Sequence, residues 1–346
     1  MVVEILVVTL LISFLTTYFL TPYFIRFLRA CNIVGIDVQK KNKPKIPEMG
    51  GPTVVAGFLA GIFFYTWVKV FILKDLQNLI ETFAAISTII IIMIIGVFDD
   101  LTALLKEREG IKKFEKFKRI GLKQWQKPLL TFPAAIPLMA IMAGNSTMVF
   151  PFLGTINIGI IYPLVLVPLG VIGASNAVSM LGGFNGLESG LGFVLLAALG
   201  IFAFIHGNIG ASFIAFTLSA ALLAFLRYNW YPAKIFPGDS LAYTIGATVA
   251  VVAIIGNVEK FAIFAFLPWY VELLLKLKSK LKAENFGILQ KDDTLKPPYE
   301  KNIYSIPHLV MKLKNMKEYQ VTSSIILGEI LLLLFLFYIS STKFWV

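Results

Sequence analysis

The chain has little with which to build a disulfide or a thiolate metal centre. Its 346 residues include one cysteine, Cys31, and two histidines, His206 and His308. A single cysteine excludes an intramolecular disulfide and any multi-cysteine site, and two histidines exclude a histidine-rich zinc site. Charge is also scarce: 15% of the residues are Asp, Glu, Lys or Arg, where a soluble domain carries about a quarter. No polar stretch is large enough to fold alone, and no internal repeat is evident. The first apolar segment, 2–28, is too long for a signal-peptide core and has no basic region before it. A removable leader is therefore not expected.

Apolar length is what the chain has. Hydrophobic residues make up 58% of it, and its mean hydropathy is +0.80. Runs of about 20 apolar residues, enough to cross a bilayer core, recur along the sequence. The expected fold class is an all-α polytopic membrane protein of about ten transmembrane helices, a single integral membrane domain over 1–346. The spans are expected near 3–26, 52–73, 81–98, 128–143, 158–180, 189–206, 209–226, 239–256, 260–276 and 321–340. The fourth carries Pro128, Pro133 and Pro137, so a kinked helix or one buried among neighbours is expected there.

Charge then orients the spans. All Lys and Arg except Lys69, Lys74, Lys260 and Lys343 fall within or at the edges of loops near 27–51, 99–127, 181–188, 227–238 and 277–320. By the positive-inside rule these loops are cytoplasmic and both termini are not. The net charge of +11 is accounted for by basic loops held against anionic headgroups, so no nucleic-acid partner is expected. The segments 112–125 and 306–317 mix lysines with apolar residues, as either interfacial helices or basic connectors do. Asn145-Ser146-Thr147, on the outer side, fits a glycosylation acceptor.

Costly polar residues gather at cytoplasmic span ends. Asp99-Asp100 closes the third span, where carboxylates at a helix C-terminus oppose the macrodipole by up to about 1 kcal/mol each. They are either a solvated interfacial pair or offset by a cation or a substrate proton. Asp239, in "FPGDS" (236–240), reads as a helix N-cap or as a carboxylate for a hard cation, with Phe236 beside it as a stacking platform. In "NAVSMLGGFNGLESG" (176–190), Asn176, Ser179 and Gly183 share one helix face, and Asn185-Gly186 follows as a turn. These groups either bond neighbouring helices or face a ligand. One basin holding them with Glu48 and nearby lysines suits Mg²⁺, which binds through one or two carboxylates plus substrate phosphates. Glu188 reads as a structural residue capping the sixth span.

In their order and on their membrane side, "KIPEMGG" (45–51), "GVFDD" (96–100), "NAVSMLGGFNGLESG" and "FPGDS" resemble the polyprenyl-phosphate N-acetylhexosamine-1-phosphate transferases. The eukaryotic and archaeal UDP-GlcNAc–dolichyl-phosphate branch is the nearest. The resemblance covers most of 35–275. It implies transfer of a HexNAc-1-phosphate, most readily GlcNAc-1-phosphate, from a UDP-sugar to a polyprenyl or dolichyl phosphate, with release of UMP. It also implies Mg²⁺, with Mn²⁺ as an alternative, and an active site facing the cytoplasm in a prokaryotic plasma membrane or the endoplasmic reticulum. Membrane lipids are implied partners, and a homodimer is left open. Matching positions make Asp239 a metal ligand, place Asp99 and Asp100 near the lipid phosphate, and make Lys127 the phosphate-binding lysine. Asn185 and Phe236 match positions that bind and stack the uracil, Glu48 one near the uridine, and Asn176 one facing the metal–pyrophosphate region.

Two departures stand out. Ser179 occupies a metal-ligand position where the family usually has asparagine. The family's histidine-rich or basic motif before the last span is also missing in its usual form; "KAENFGILQKDD" (282–293) and, later, His308 stand there instead. Two other readings compete with the one this resemblance implies. One is the bacterial phospho-muramyl-pentapeptide transferase, which typically has Asp where this chain has Gly182 or Asn185. The other is a secondary transporter, which would place binding groups at the midplane, often with internal repeats.

Overall fold

The computed structural model describes residues 1–108, 126–150, 154–299 and 301–341. The chain enters through α1 (Val2–Ala30) and turns through a hairpin, β1 (Val34–Ile36) with β2 (Lys45–Pro47), into α2 (Gly51–Trp67) and a π-helical turn (Val68–Ile72). Then follow α3 (Leu79–Arg108), the short helices α4 (Gln126–Thr131) and α5 (Ile136–Ala140) joined by a 3₁₀ turn, and the hairpin of β3 (Thr147–Phe150) with β4 (Gly154–Asn157). A π-helical turn (Tyr162–Leu166) leads into α6 (Val167–Met180), followed by α7 (Leu187–Ile205), α8 (Ile209–Asn229) and α9 (Gly238–Ile255). The C-terminal part holds α10 (Glu259–Ala265), α11 (Leu267–Lys278), the small pair β5 (Ile288–Leu289) and β6 (Leu295–Lys296), α12 (Ile306–Leu313) and α13 (Glu318–Ser340).

Among the described residues, eight helices are long and apolar enough to cross a membrane. They lie at eight of the ten expected positions. The other two positions, 128–143 and 260–276, hold broken helices: α4 and α5 meet at Phe132-Pro133, and α10 gives way to α11 at Phe266 just before Pro268. Proline removes a backbone donor and clashes with the preceding turn, which breaks a helix of ordinary length. The stretch 112–125 lies outside the described residues. Within the stretch 306–317, Ile306–Leu313 forms the amphipathic α12, with Pro307, His308 and Met311 buried and Leu309 and Leu313 exposed, and 314–317 is a connector.

The isoleucine-rich run of α3 would favour a strand in water. A bilayer core offers no partners for open strand edges, so a single segment there satisfies its backbone only as a helix. The helices are not equally enclosed. In α9 every residue from Ser240 to Ile254 is buried, whereas α1 buries only a stripe of Thr9, Ser13, Thr17 and Thr21, continued by Ile25 and Leu28. Thus α9 is the central post, packed by α2, α3, α6, α7 and α8. Its first turn is approached unusually closely: a side chain on Gly96 of α3 would stand 2.7 Å from the Ser240 nitrogen, and one on Gly51 of α2 would stand 2.6 Å from the Ser240 carbonyl carbon. Glycine at both places brings three backbones together, as small residues do between membrane helices. That junction fixes where Asp99 and Asp100 meet Asp239.

Candidate active site

The adjacent aspartates take different jobs. Because α3 runs on to Arg108, Asp99 and Asp100 sit two turns inside a helix, and the macrodipole cost expected for a terminal pair does not apply at their position. Asp100, 4% exposed, accepts hydrogen bonds from the backbone N–H groups of Asp239 (2.6 Å) and Ser240 (3.0 Å). It caps α9 from a neighbouring helix, where the positive end of the macrodipole favours a carboxylate. Gly238 makes this possible: its φ is +69°, and a side chain there would stand 2.5 Å from Asp100 Oδ2.

Asp99 points to the other side of the same junction. Its Oδ2 accepts from the Tyr243 hydroxyl (2.6 Å) and pairs with Lys127 Nζ (2.9 Å). Lys127 also holds Asp239 Oδ2, at 2.9 Å. Burial works against the Lys127 charge, but the carboxylates of Asp239 and Asp99 outweigh it and hold the ammonium above the ordinary lysine range. Lys127 is therefore charged at any physiological pH. Asp239, 25% exposed, is the most open of the three aspartates.

Lys127 and Asp239 line a cavity of about 420 Å³ with Ser179, Gly182, Gly183, Lys276 and the segment 281–286. Its charged lining is mixed, Lys127, Lys276 and Lys282 against Asp239 and Glu284. Glu188 does not cap α7, whose N-terminus has no side-chain cap; its carboxylate lies against Gly182. Among the described residues no three carboxylates, histidines or cysteines form a ready metal cage. Mg²⁺ does not require one, because substrate phosphates and water complete its shell. Asp239 and Ser179 are oxygen donors on the same cavity wall; Lys127 is already engaged by Asp99 and Asp239, and a divalent ion on Asp239 would offset the repulsion between that carboxylate and a pyrophosphate. The residues fit a divalent ion.

The other expected site residues lie around this cavity rather than on its wall. Asn176 donates to Thr131 Oγ1 (3.1 Å) and to the Ile172 carbonyl (2.8 Å), which ties α6 to the short helix carrying Lys127. The Ser179 hydroxyl donates to the Asn176 carbonyl at 3.0 Å. Glu48 and Phe236 both pack at Gly35 of β1, and Phe236 joins the hairpin through its N–H to the Pro47 carbonyl at 2.7 Å. Asn185, 4% exposed, donates its side-chain amide to Asp37 Oδ2 (3.1 Å) and its backbone N–H to Glu318 Oε1 (2.8 Å). Lys40 pairs with both Asp37 and Glu318 and lies over the Tyr231 ring. One hairpin therefore gathers Glu48, Phe236 and Asn185 beside the carboxylate centre.

Asp37, Lys40 and Glu318 escaped the sequence reading because "DVQKKNKPK" resembles a solvated basic run and Glu318 looks like an ordinary interfacial acid. Tyr243 had a usable signal: it stands four residues after Asp239, on the same helix face.

His308 is fully buried against the edge of Tyr299, and neither ring nitrogen has a hydrogen-bond partner among the described residues. Burial, reinforced by the Lys276 charge, pushes its pKa down to about 4, so it is neutral at pH 7. Because the folded pKa lies below the unfolded value, the unfolded chain binds the extra proton first as pH falls. Stability is then lost from about pH 6.5 down to about 4. Melting in detergent should fall over this window in the wild type and less steeply in His308→Leu; parallel curves would rule this out.

A second, apolar cavity of about 390 Å³ runs between α6, α9 and α10–α11. Ala177 and Leu273 line one end, each within a turn of Ser179 and Lys276 in the polar cavity. At the other end Tyr162 is hydrogen-bonded to Glu259.

Residues 82–257 match the family model described as glycosyl transferase family 4. The chain is 34% identical over 299 residues to a Saccharolobus solfataricus protein provisionally named UDP-N-acetylglucosamine–dolichyl-phosphate N-acetylglucosaminephosphotransferase, covering 86% of this chain and 85% of that one. A Dictyostelium discoideum protein of the same name, without the qualifier, is 27% identical over 296 residues, covering 75% and 67%. A Clostridium botulinum phospho-N-acetylmuramoyl-pentapeptide-transferase is 29% identical over 237 residues, covering 67% and 68%.

Proposed function

The chain belongs to glycosyl transferase family 4, and on that footing we propose that it moves GlcNAc-1-phosphate from UDP-GlcNAc to a dolichyl or related polyprenyl phosphate. The products are UMP and a lipid pyrophosphate-linked sugar. The observation that carries the reading is Lys127 shared between Asp99 and Asp239 on a polar cavity that adjoins an apolar groove. One cavity suits a nucleotide-sugar and the other a lipid tail, and the reacting phosphates would meet between them. The higher identity and wider coverage of the Saccharolobus relative favour this reading over the muramyl-pentapeptide one. Polar groups at helix ends rather than at the midplane disfavour transport.

In the reaction, a lipid-phosphate oxygen attacks the sugar-bearing phosphorus, a new P–O–P link forms, and the bond to the uridine-bearing phosphate breaks to release UMP. Asp239 and Ser179 would hold a divalent cation, Mg²⁺ or alternatively Mn²⁺, which would supply charge neutralisation for the pyrophosphate. Lys127, kept charged by its two carboxylates, stabilises the charge that builds on the phosphoryl oxygens. A lipid phosphate has a second pKa near 6 and arrives largely deprotonated. Asp99, already occupied by Tyr243 and Lys127, is therefore not needed as a strong base. Asp99 and Tyr243 orient Lys127, Asp100 anchors α9, and Asn176 braces the helix that carries Lys127. The hairpin with Glu48, Phe236 and Asn185 receives the uridine. The lysines and arginines of the loops at this end support a cytoplasmic orientation for it.

Purified protein in detergent, given Mg²⁺, UDP-GlcNAc and a polyprenyl phosphate, should release UMP in proportion to lipid product. UMP formation with UDP-N-acetylmuramoyl-pentapeptide alone, or with no UDP-sugar at all, would overturn the assignment.

A further inference from the structure

Gln39 is 3% exposed, inside a loop whose sequence looks solvated. Its side chain is used at both ends. Nε2 donates to the Gly183 carbonyl and Oε1 accepts from the Gly287 N–H, each at 3.0 Å. The partners fix the amide's orientation, since a flipped amide would face donor to donor and acceptor to acceptor.

These two bonds join two adjoining stretches of one cavity wall. Gly183, at φ +90°, belongs to the turn after α6, and Gly287 follows Phe286 in the segment after α11; Gly183 and Phe286 both line the polar cavity. The Phe286 ring covers Gly183, 3.0 Å from where a side chain would begin. Asn285 makes a second link, its Nδ2 donating to the Met180 and Gly182 carbonyls at 2.8 Å each. No residue of this arrangement lines the apolar groove.

We propose that Gln39 is a positioning residue for the nucleotide-sugar, a buried strut that holds the 180–183 turn against the 283–287 segment and so fixes the shape of the cavity wall that receives a nucleoside-diphosphate sugar. The proposal rests on the transferase reading above. Gln39 reaches neither Lys127 nor the three aspartates, so its effect falls on binding rather than on the chemical step. Its position away from the groove confines the effect to one of the two substrates.

The test is a comparison of wild type with Gln39→Met, which keeps the side chain's length and loses both hydrogen bonds, and with Gln39→Glu, which keeps only the acceptor. Losing two neutral hydrogen bonds should raise the KM for UDP-GlcNAc roughly tenfold. The kcat at saturation should stay within about twofold and the KM for polyprenyl phosphate should be unchanged. Direct calorimetric binding of UDP should weaken by the same factor. An unchanged KM for UDP-GlcNAc would overturn the proposal, as would kcat and both KM values moving together. Failure of both variants to fold would also overturn it, by making Gln39 a determinant of the fold. A wild type that binds UDP but releases no UMP would refute the transferase reading instead, and UDP affinity in the variants would still judge the strut.

Discussion

Asp239→Asn should lower UMP release roughly a hundred- to a thousandfold while the protein melts within a few degrees of wild type. The reasoning is local. Asp239 is the aspartate most open to the cavity, and Lys127 keeps Asp99 as a partner when the Asp239 charge is lost. The fold therefore loses little. The site loses the carboxylate that faces substrate and, in our reading, the cation. Raising Mg²⁺ should recover part of the activity if the defect is in metal affinity. Activity above about a tenth of wild type at ordinary Mg²⁺ would refute this role for Asp239.

Asp99→Asn and Asp100→Asn should fail in opposite ways although the residues are neighbours. Asp100 accepts two backbone N–H groups of α9 with its two oxygens. An asparagine there turns an NH₂ toward one of those donors and removes a charge from the helix's positive end. The expected loss of stability is about 2–3 kcal/mol, read as a lower melting temperature in detergent. Asp99→Asn removes one of the carboxylates crowded around a single lysine, so melting should be nearly unchanged. Lys127 is then held only by Asp239, and kcat should fall at least about tenfold. The reverse pattern, with Asp99→Asn unfolding and Asp100→Asn merely slow, would show that the two roles have been exchanged.

The membrane architecture was legible because bilayer physics is strict. Apolar run length marked ten positions, and at eight of them the described residues form a helix long and apolar enough to span; the proline-bearing fourth segment was expected to be irregular, as α4 and α5 are. The break between α10 and α11 was harder to see: Pro268 sits in an apolar run whose length alone suits a continuous helix. In the site, the motifs around Asp99, Asp239 and Asn185 pointed to one end of the molecule, and those residues do converge there. The division of labour within Asp99-Asp100 was not legible. It depends on which backbone lies opposite each side chain, and sequence spacing carries no such information. Gln39, Asp37 and Lys40 were missed for a related reason. Their residue types are ordinary in a basic loop, and only tertiary contact reveals that they are buried. Glu188 was misjudged by a generic rule, since an acid in the first turn of a helix usually serves the helix dipole, whereas this one turns toward Gly182.

The contact of Glu318 with Asn185 and Lys40 has a consequence for biosynthesis. Glu318 opens the last helix, α13, while Asp37 and Lys40 come from the first loop and Asn185 from the middle of the chain. During synthesis the Lys127 cluster can assemble once α9 is inserted, but the Asn185 backbone N–H lacks its carboxylate and Lys40 has the Asp37 carboxylate alone until the final helix enters the membrane. A nascent chain would thus carry the aspartate–lysine cluster before the Asn185 turn is fully braced. Only complete insertion supplies the Glu318 carboxylate that ties that turn to the first loop.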